Sequence, residues 1–226
     1  MITHINRLLP DDFILGLSSG VDSIAAAHYL KYKLKRNVRC FHFNHKSESH
    51  NDFEAAEKAV IFCRDFDIPL TLLESDRPLE KENESRDARL NAFNKHFENT
   101  SLLTCHHLDD AVESHFSNFF AGHESFLPIP FFSTFGTNTI FHPFLLTVKD
   151  DFIEYVNKNQ LENYIAQDPT NFIPESATRN WIRNVIIPEV NSKIHINIKT
   201  IVRKRILKHI ILNHYNLIIL FFFLNR

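Results

Sequence analysis

Short apolar runs alternate with amphipathic stretches over the first 120 residues. Runs with the length and composition of strands buried on both faces lie at 13–17, 38–43, 70–73 and 102–105. Segments with apolar residues at helical spacing lie between and after them, at 24–34, 53–66, 82–97 and 109–120. Because strand and helix alternate four times with short joins, the pattern predicts an α/β fold, an open, doubly wound, mostly parallel sheet with helices on both faces.

The strand–helix rhythm stops after residue 121. Residues 122–146 contain three prolines and two glycines, and we predict a loop there with at most short strands. Residues 147–159 have a helical pattern. A further helix is predicted to begin at residue 178 and to be kinked or ended by Pro188.

The composition is that of a globular protein. Of the 226 residues, 44% are hydrophobic and 23% are charged, so the chain can bury a core. No apolar run approaches the roughly 20 residues of a membrane-spanning helix, and the N-terminus lacks a signal-peptide pattern. We therefore expect a cytoplasmic protein that binds no membrane. Cys40, Cys63 and Cys105 are well separated, which argues against a disulfide scaffold and against a Cys-x-x-Cys metal site.

Charge divides the chain near residue 190. The net charge of −2 excludes a basic nucleic-acid coat. Residues 191–226 contain seven Lys or Arg and no Asp or Glu, whereas residues 1–190 contain 18 basic and 27 acidic residues. We predict a compact acidic domain over 1–190 and a basic, hydrophobic tail over 191–226.

Three interpretations of the tail are open. The first is a basic helix that contacts RNA phosphates. The second is a helix that lies in a membrane interface. The third is the end of a truncated or frame-shifted gene. The apolar segment 217–224 has eight residues and would anchor weakly to a membrane. Truncation, or a docked hydrophobic end, is therefore favoured over membrane binding.

A turn rich in serine and glycine joins the first predicted strand to the first predicted helix; it consists of Ser18, Ser19, Gly20, Val21, Asp22 and Ser23. Backbone N–H groups, small side chains, hydroxyls and a helix start suit a phosphate, and Asp22 could hold Mg²⁺ on it. The Gly-Lys-Ser/Thr ending of a Walker loop and the G-x-G-x-x-G fingerprint are both absent. The alternative is an ordinary βα turn with a capped helix.

A second polar motif, HHLDDAVES at 106–114, follows the fourth predicted strand. Asp110 and Glu113 are three residues apart and share one helical face, where they could position a metal or a nucleophile. The alternative is a capped helix with a solvated acidic first turn, which the helix dipole favours. A zinc site is less favoured, because no further pair of ligands has suitable spacing.

The first turn resembles the S-G-G-x-D-S loop of the ATP pyrophosphatase, or PP-loop, family, with Ser19 in place of the first glycine. The second motif is similar to H-H-x-D-D-x-x-E-T in the tRNA(Ile)-lysidine synthetase branch. Four more segments resemble that branch's V-H-V-N-H, N-x-E-x-x-A-R, D-x-S-N and R-N-x-x-R-x-x-x-x-P elements in order, at 41–45, 83–90, 168–171 and 179–188. Ser19, which replaces the first glycine of the PP-loop motif, can donate its N–H to a phosphate only if the backbone at this position does not need a positive φ.

The resemblance implies an adenine nucleotide α-hydrolase-like fold and an ATP-dependent ligase. The wobble cytidine of a tRNA(Ile) with a CAU anticodon would attack the α-phosphate of ATP through its C2 oxygen and release pyrophosphate. The amine of L-lysine would then displace AMP, which gives lysidine. The implied cofactors are ATP and Mg²⁺, and a homodimer is left open.

The resemblance also assigns roles to individual residues. Nucleotide binding falls to the turn at 18–23 and to Phe43, Asn44 and His45, with Asp22 as the Mg²⁺ ligand. The implied catalytic residues are Asp22, Arg86, His107, Asp110 and Glu113. The implied phosphate or substrate contacts are Arg89, Arg179 and Arg183. Since the motifs follow strand ends, we expect them to converge on one pocket.

Two alternatives remain at this point. A tRNA thiolase of the same family would commonly use paired cysteines, which the sequence lacks. A catalytically inactive nucleotide-binding remnant is favoured by residues 121–128, AGHESFLP, where the family has a glycine-rich loop.

Overall fold

The computed structural model describes residues 1–5, 9–47, 51–123, 127, 129–166, 178–193, 195 and 197–224, and only the backbone of residues 82, 178, 179 and 212–224. The chain divides into two units. The sheet unit comprises Met1–His107 and Phe131–Ile173, and the helical unit comprises Leu108–Pro130 and Pro174–Arg226. The division of the chain at residue 190 stays a prediction.

Six strands form the sheet: Ile14–Gly16 (β1), Arg39–Asn44 (β2), Leu70–Glu74 (β3), Ser101–Leu103 (β4), Phe132–Phe135 (β5) and Asn138–Phe141 (β6). Their order is β3-β2-β1-β4-β6-β5. Neighbouring strands are parallel except β5 and β6, and Leu15 lies opposite Cys40 on one side and Leu103 on the other. The predicted mostly parallel sheet is therefore confirmed.

The described helices are Val21–His28 (α1), Asp52–Asp65 (α2), Glu82–His96 (α3), Leu108–Phe120 (α4), Lys149–Asn159 (α5), Thr178–Trp181 (α6), Ile187–Lys193 (α7) and Ile198–Leu224 (α8). Successive strand residues point to opposite faces of the sheet. Leu15 accordingly packs with residues of α1, α2 and α5, whereas Ile14 packs with Phe93 of α3. Each fully buried large side chain contributes about 1.5–3 kcal/mol, so this two-sided core is a major source of stability.

In two segments the structure adds detail to the prediction of at most short strands at 122–146 and of a helix kinked or ended by Pro188. The segment 122–146 contains the antiparallel hairpin of β5 and β6, whose turn places Gly136 at φ +60°. Pro188 does not end the last predicted helix: it lies at the second position of α7, directly after helical residues, and the helix continues to Lys193. The irregularity precedes it, as a π-helical turn at Ile182–Ile186.

The helical unit is built from α4, α6, α7 and α8. On α4, Leu108, Ala111 and Val112 are buried, and α8 contributes the buried residues Val202 and Ile206. Contacts between α4 and α8 form part of this interior. None of the described helices is long and apolar enough to cross a membrane.

Candidate active site

The serine-rich loop between β1 and α1 lies at the carboxyl end of a central strand, where ligands of open parallel sheets bind. Hydroxyl groups hold its shape, since the Ser18 N–H donates to Ser23 Oγ at 3.1 Å and the Gly20 N–H donates to Ser18 Oγ at 3.3 Å. Val21 and Asp22 begin α1, so their N–H groups have no acceptor within the helix. The loop therefore presents donors that suit an anion.

Ser19 lies in the left-handed region of backbone space, with φ +59°. The condition set on the sequence, that the backbone here does not need a positive φ, is therefore not met. Ser19 is fully buried, its Oγ donates to the Ala55 carbonyl at 2.6 Å, and its own carbonyl accepts the Ala166 N–H at 2.9 Å. These bonds hold the serine in a conformation that glycine adopts at lower cost.

Asp22 is the charged centre of the loop. Its carboxylate accepts two hydrogen bonds from Lys149 Nζ, at 2.8 and 2.7 Å, and His107 Nε2 lies 3.6 Å away. Burial alone would raise the pKa of Asp22, but the contacts with His107 and Lys149 outweigh it and hold that pKa below its ordinary value. Asp22 and His107 come from separate motifs and meet here as predicted, whereas no sequence pattern pointed to Lys149.

The end of β2 supports the loop from the side. His42 is buried, and its Nδ1 donates to the carbonyl of Leu17, the residue before the loop, at 2.7 Å. Phe43 packs in the core beside α3, and the Asn44 Oδ1 accepts the N–H of Lys46 at 2.8 Å. His45 stacks edge-on against Phe43, with ring centroids 5.0 Å apart. A role for these residues in nucleotide binding stays a prediction.

A cluster of polar groups at the ends of β4 and β6 was not predicted from the sequence. The Thr104 Oγ1 lies 2.9 Å from His106 Nδ1 and 2.5 Å from His142 Nδ1. Burial, followed by the charges of His106 and the exposed Arg86, lowers the pKa of His142 to about 3. In the same way, burial and then the charge of Arg89 depress the pKa of His42. The two arginines of α3 thus act electrostatically on His142, which follows β6, and on His42 within β2.

We expect His142 to make the protein acid-sensitive. Between pH 6.5, its ordinary pKa, and about 3, its folded-state pKa, the unfolded chain binds a proton that the folded chain excludes. The free energy of unfolding should therefore decrease as the pH is lowered through this window, by up to about 1.4 kcal/mol per pH unit. Urea unfolding of His142→Asn should show a shallower fall than wild type, and the exposed His123→Asn should not. Equal slopes for His142→Asn and wild type would contradict the assignment.

In the helical unit, Glu113 and Arg183 form a two-pronged ion pair. Arg183 Nε lies 2.5 Å from Oε1 and Nη2 lies 2.9 Å from Oε2, and the Glu113 side chain is only 1% exposed. The hydrogen bond with Glu113, together with the charges of Asp110 and Asp109, raises the pKa of Arg183. Lys199 pairs with Asp109. Glu113 therefore holds Arg183 in one ion pair, and the separate roles predicted for the two residues stay a prediction.

A cavity of about 370 Å³ lies beside this pair. It is lined by Asp109, Val112, Glu113, Arg183, Ile187, Pro188, Asn191 and Lys199. Charges of both signs and apolar side chains surround it. Such a lining suits a small zwitterion or an alkylammonium group.

Comparison with known proteins shows which family the chain belongs to. The model of the PP-loop domain matches residues 2–190. The chain belongs to the PP-loop family. That membership implies ATP binding. The loop at 18–23, which resembles the family's S-G-G-x-D-S motif, is called the PP-loop below. The U34-tRNA thiolase from Methanococcus maripaludis has the same fold, with a TM-score of 0.66 and 19% identity over 87% of this chain and 72% of that one.

Curated relatives of this PP-loop protein share one name. A tRNA(Ile)-lysidine synthase from Actinobacillus pleuropneumoniae is 31% identical over 196 residues, which cover 80% of this chain and 43% of the relative. A tRNA(Ile)-lysidine synthase from Bacillus subtilis is 30% identical over 195 residues, which cover 77% and 39%. The chain spans less than half the length of the curated relatives that it matches here.

The PP-loop fits Mg²⁺ that arrives on a nucleotide. Asp22 supplies one carboxylate, and Ser18 and Ser23 place hydroxyl oxygens in the same loop. Among the described residues, no group of three or more His, Cys, Asp or Glu could hold a metal. Mg²⁺ usually takes one or two carboxylates together with substrate phosphates and water, so Asp22 is a suitable ligand once the phosphates supply the rest.

Several predicted site residues of this PP-loop protein remain without a described environment. The D-x-S-N element at 168–171, the Arg179 side chain and residues 124–126 and 128 lie outside the described residues. The motif at 106–114 is divided, with His107 in the sheet unit and Asp110 and Glu113 in the helical unit. That all of these groups serve one pocket stays a prediction.

The left-handed PP-loop serine gives a test of local stability. Ser19→Gly removes a strain of about 1 kcal/mol and loses a hydrogen bond of similar value, so we expect almost no change in the free energy of unfolding. Ser19→Ala loses the bond to Ala55 and keeps the strain, and should lower stability by about 1 kcal/mol. Urea unfolding measures both, and an alanine variant as stable as wild type would contradict the account.

Proposed function

We propose that this PP-loop protein carries the catalytic step of an ATP-dependent tRNA-modifying ligase. Its substrates are the wobble cytidine of a tRNA(Ile) with a CAU anticodon, L-lysine and ATP, and its products are lysidine, pyrophosphate and AMP. The names of the two lysidine synthase relatives support this choice. The observation that carries it is the meeting of Asp22 and His107, from the first and second motifs, at 3.6 Å.

The PP-loop binds the phosphates of ATP in this proposal. Charge builds on the leaving pyrophosphate as the bond to the α-phosphate breaks, and the N–H groups at the start of α1 face that charge. Mg²⁺, when bound by Asp22, supplies further neutralisation of the same phosphates. His107 holds the Asp22 carboxylate in place, and its ring is almost fully buried, so it excludes water from that side.

The acidic residues of α4 take the second half of the reaction. The ammonium or amine of L-lysine is recognised by carboxylates, and the cavity beside Glu113 and Arg183 has the mixed charge that a zwitterion needs. Asp110 and Glu113, three residues apart on α4, are the proposed positioning residues for lysine, and Glu113 and its partner Arg183 line the cavity itself. Arg86 and Arg89 of α3 are the proposed contacts to RNA or nucleotide phosphate in the sheet unit.

The thiolase alternative receives less support from the cysteines. Cys40 and Cys63 are 1% and 3% exposed, in the hydrophobic core, and a contact with the Cys63 thiol raises the pKa of Cys40 well above its ordinary value. A buried, protonated thiol is a poor nucleophile. The likeness to the archaeal thiolase is one of fold.

Pyrophosphate release tests the proposal. Purified protein is incubated with ATP, Mg²⁺, L-lysine and a transcript of tRNA(Ile) with a CAU anticodon. We expect pyrophosphate only when the wobble base is cytidine, and none with a matched transcript that carries uridine there. ATP binding without pyrophosphate release on any transcript would instead identify an inactive nucleotide-binding remnant.

A further inference from the structure

Lys149 reaches the PP-loop from another element of the sheet unit. It is the first residue of α5, 127 positions after Asp22, and its Nζ bonds to both carboxylate oxygens of that residue. Its side chain is 38% exposed and that of Asp22 is 24% exposed, so the pair lies at the surface of the loop. An ammonium group is thus held at the place where the PP-loop would meet phosphate.

The start of α5 is firmly anchored, so this placement is not a chance reach of a long side chain. Phe152 and Val156 of α5 are buried in the same cluster as residues of α1. The Tyr155 hydroxyl lies 2.9 Å from His28 Nδ1 of α1. Thr147, just before α5, is fully buried and accepts the Thr3 N–H at 3.1 Å.

Local stability does not explain a lysine at this position. A cation in the first turn of a helix opposes the helix dipole, and α5 otherwise has Asp150 and Asp151 in that turn. A partly exposed ion pair with Asp22 contributes little to folding stability, because water screens the charges and both side chains lose conformational freedom. A basic residue that is unfavourable for its own helix and aims at an anion-binding loop indicates a role toward the anion.

We propose that Lys149 is a diphosphate-binding residue of the PP-loop. Its ammonium rests on Asp22 when the loop is empty and moves to the diphosphate when phosphates bind. The inference rests on the proposed function only in that the loop takes the phosphates of ATP. Because the Asp22 carboxylate repels a diphosphate and neutralises Lys149, binding should strengthen once that carboxylate is removed or engaged elsewhere.

Binding of inorganic pyrophosphate in the presence of EDTA tests this exchange without metal, tRNA or lysine. Isothermal titration is performed on wild type, Asp22→Asn, Lys149→Met and the double variant. Asp22→Asn removes a repulsive carboxylate and releases the ammonium, so it should bind pyrophosphate roughly tenfold more tightly than wild type. The double variant should lose most of that gain, and Asp22→Asn with Lys149→Arg should keep it.

The comparison of Asp22→Asn with the double variant is safe with respect to folding, because neither leaves an unpaired carboxylate at residue 22. If the double variant binds as tightly as Asp22→Asn, or if Asp22→Asn gains nothing, Lys149 is only a structural partner of Asp22 and the inference is wrong. A protein that shows the expected pattern but makes no lysidine would refute the proposed function alone. A protein that makes lysidine without the pattern would refute the inference alone.

Discussion

Asp22→Asn should reduce tRNA-dependent pyrophosphate release by on the order of 10²–10³-fold. The substitution keeps the shape of the side chain but removes the carboxylate that is proposed to hold Mg²⁺ and that now contacts Lys149 and His107. The initial rate of pyrophosphate formation at saturating ATP, L-lysine and tRNA measures the effect.

Asp67→Asn is the matched control for that variant. The Asp67 side chain is fully exposed and its φ is +51°, a conformation that asparagine tolerates well, so its rate should equal that of wild type. Thermal unfolding of both variants separates a loss of chemistry from a loss of fold. Turnover of Asp22→Asn at the rate of the control would remove the loop from the mechanism.

Arg183→Met should lower the free energy of unfolding by about 2–3 kcal/mol. It leaves the Glu113 carboxylate, which is 1% exposed, without its two-pronged partner. Breaking a fully buried ion pair costs roughly 3–5 kcal/mol of stability. We expect a smaller loss here, because the Arg183 side chain is 43% exposed and water can reach the site. Urea unfolding at neutral pH measures the difference.

Two further variants make the Arg183 test specific to the ion pair. Arg183→Met combined with Glu113→Gln removes the buried charge as well, and should recover much of the lost stability. Arg183→Lys keeps a cation but not the planar fork, and should fall between wild type and Arg183→Met. A double variant no more stable than Arg183→Met would show that packing, and not the buried charge, sets the cost.

The sequence predicted the features that depend on local pattern. Alternating apolar runs and helical segments identified β1 to β4 and the helices between them, because burial on both faces of a parallel sheet leaves a clear signature. The hairpin of β5 and β6 was less visible, since its strands have four residues each and one phenylalanine, Phe132, stays 59% exposed.

The part of the candidate site that escaped prediction depends on distant contacts. Lys149 meets Asp22 across 127 residues, and no local pattern records such a pairing, although a lysine at a helix start is an available clue. His142 directly follows β6, so the rule that polar residues at strand ends form sites would have indicated it once the hairpin was recognised. Ser19 shows the opposite case, where the family's glycine already indicated the left-handed backbone.

Mass spectrometry of the tRNA product tests the central claim most directly. A tRNA(Ile) transcript with a CAU anticodon is incubated with the protein, ATP, Mg²⁺ and isotopically labelled L-lysine, then digested to nucleosides. The account predicts one cytidine, at the wobble position, that gains the mass of labelled lysine less water. Unmodified cytidine from a preparation that is folded and binds ATP, or label at any other nucleoside, would contradict it.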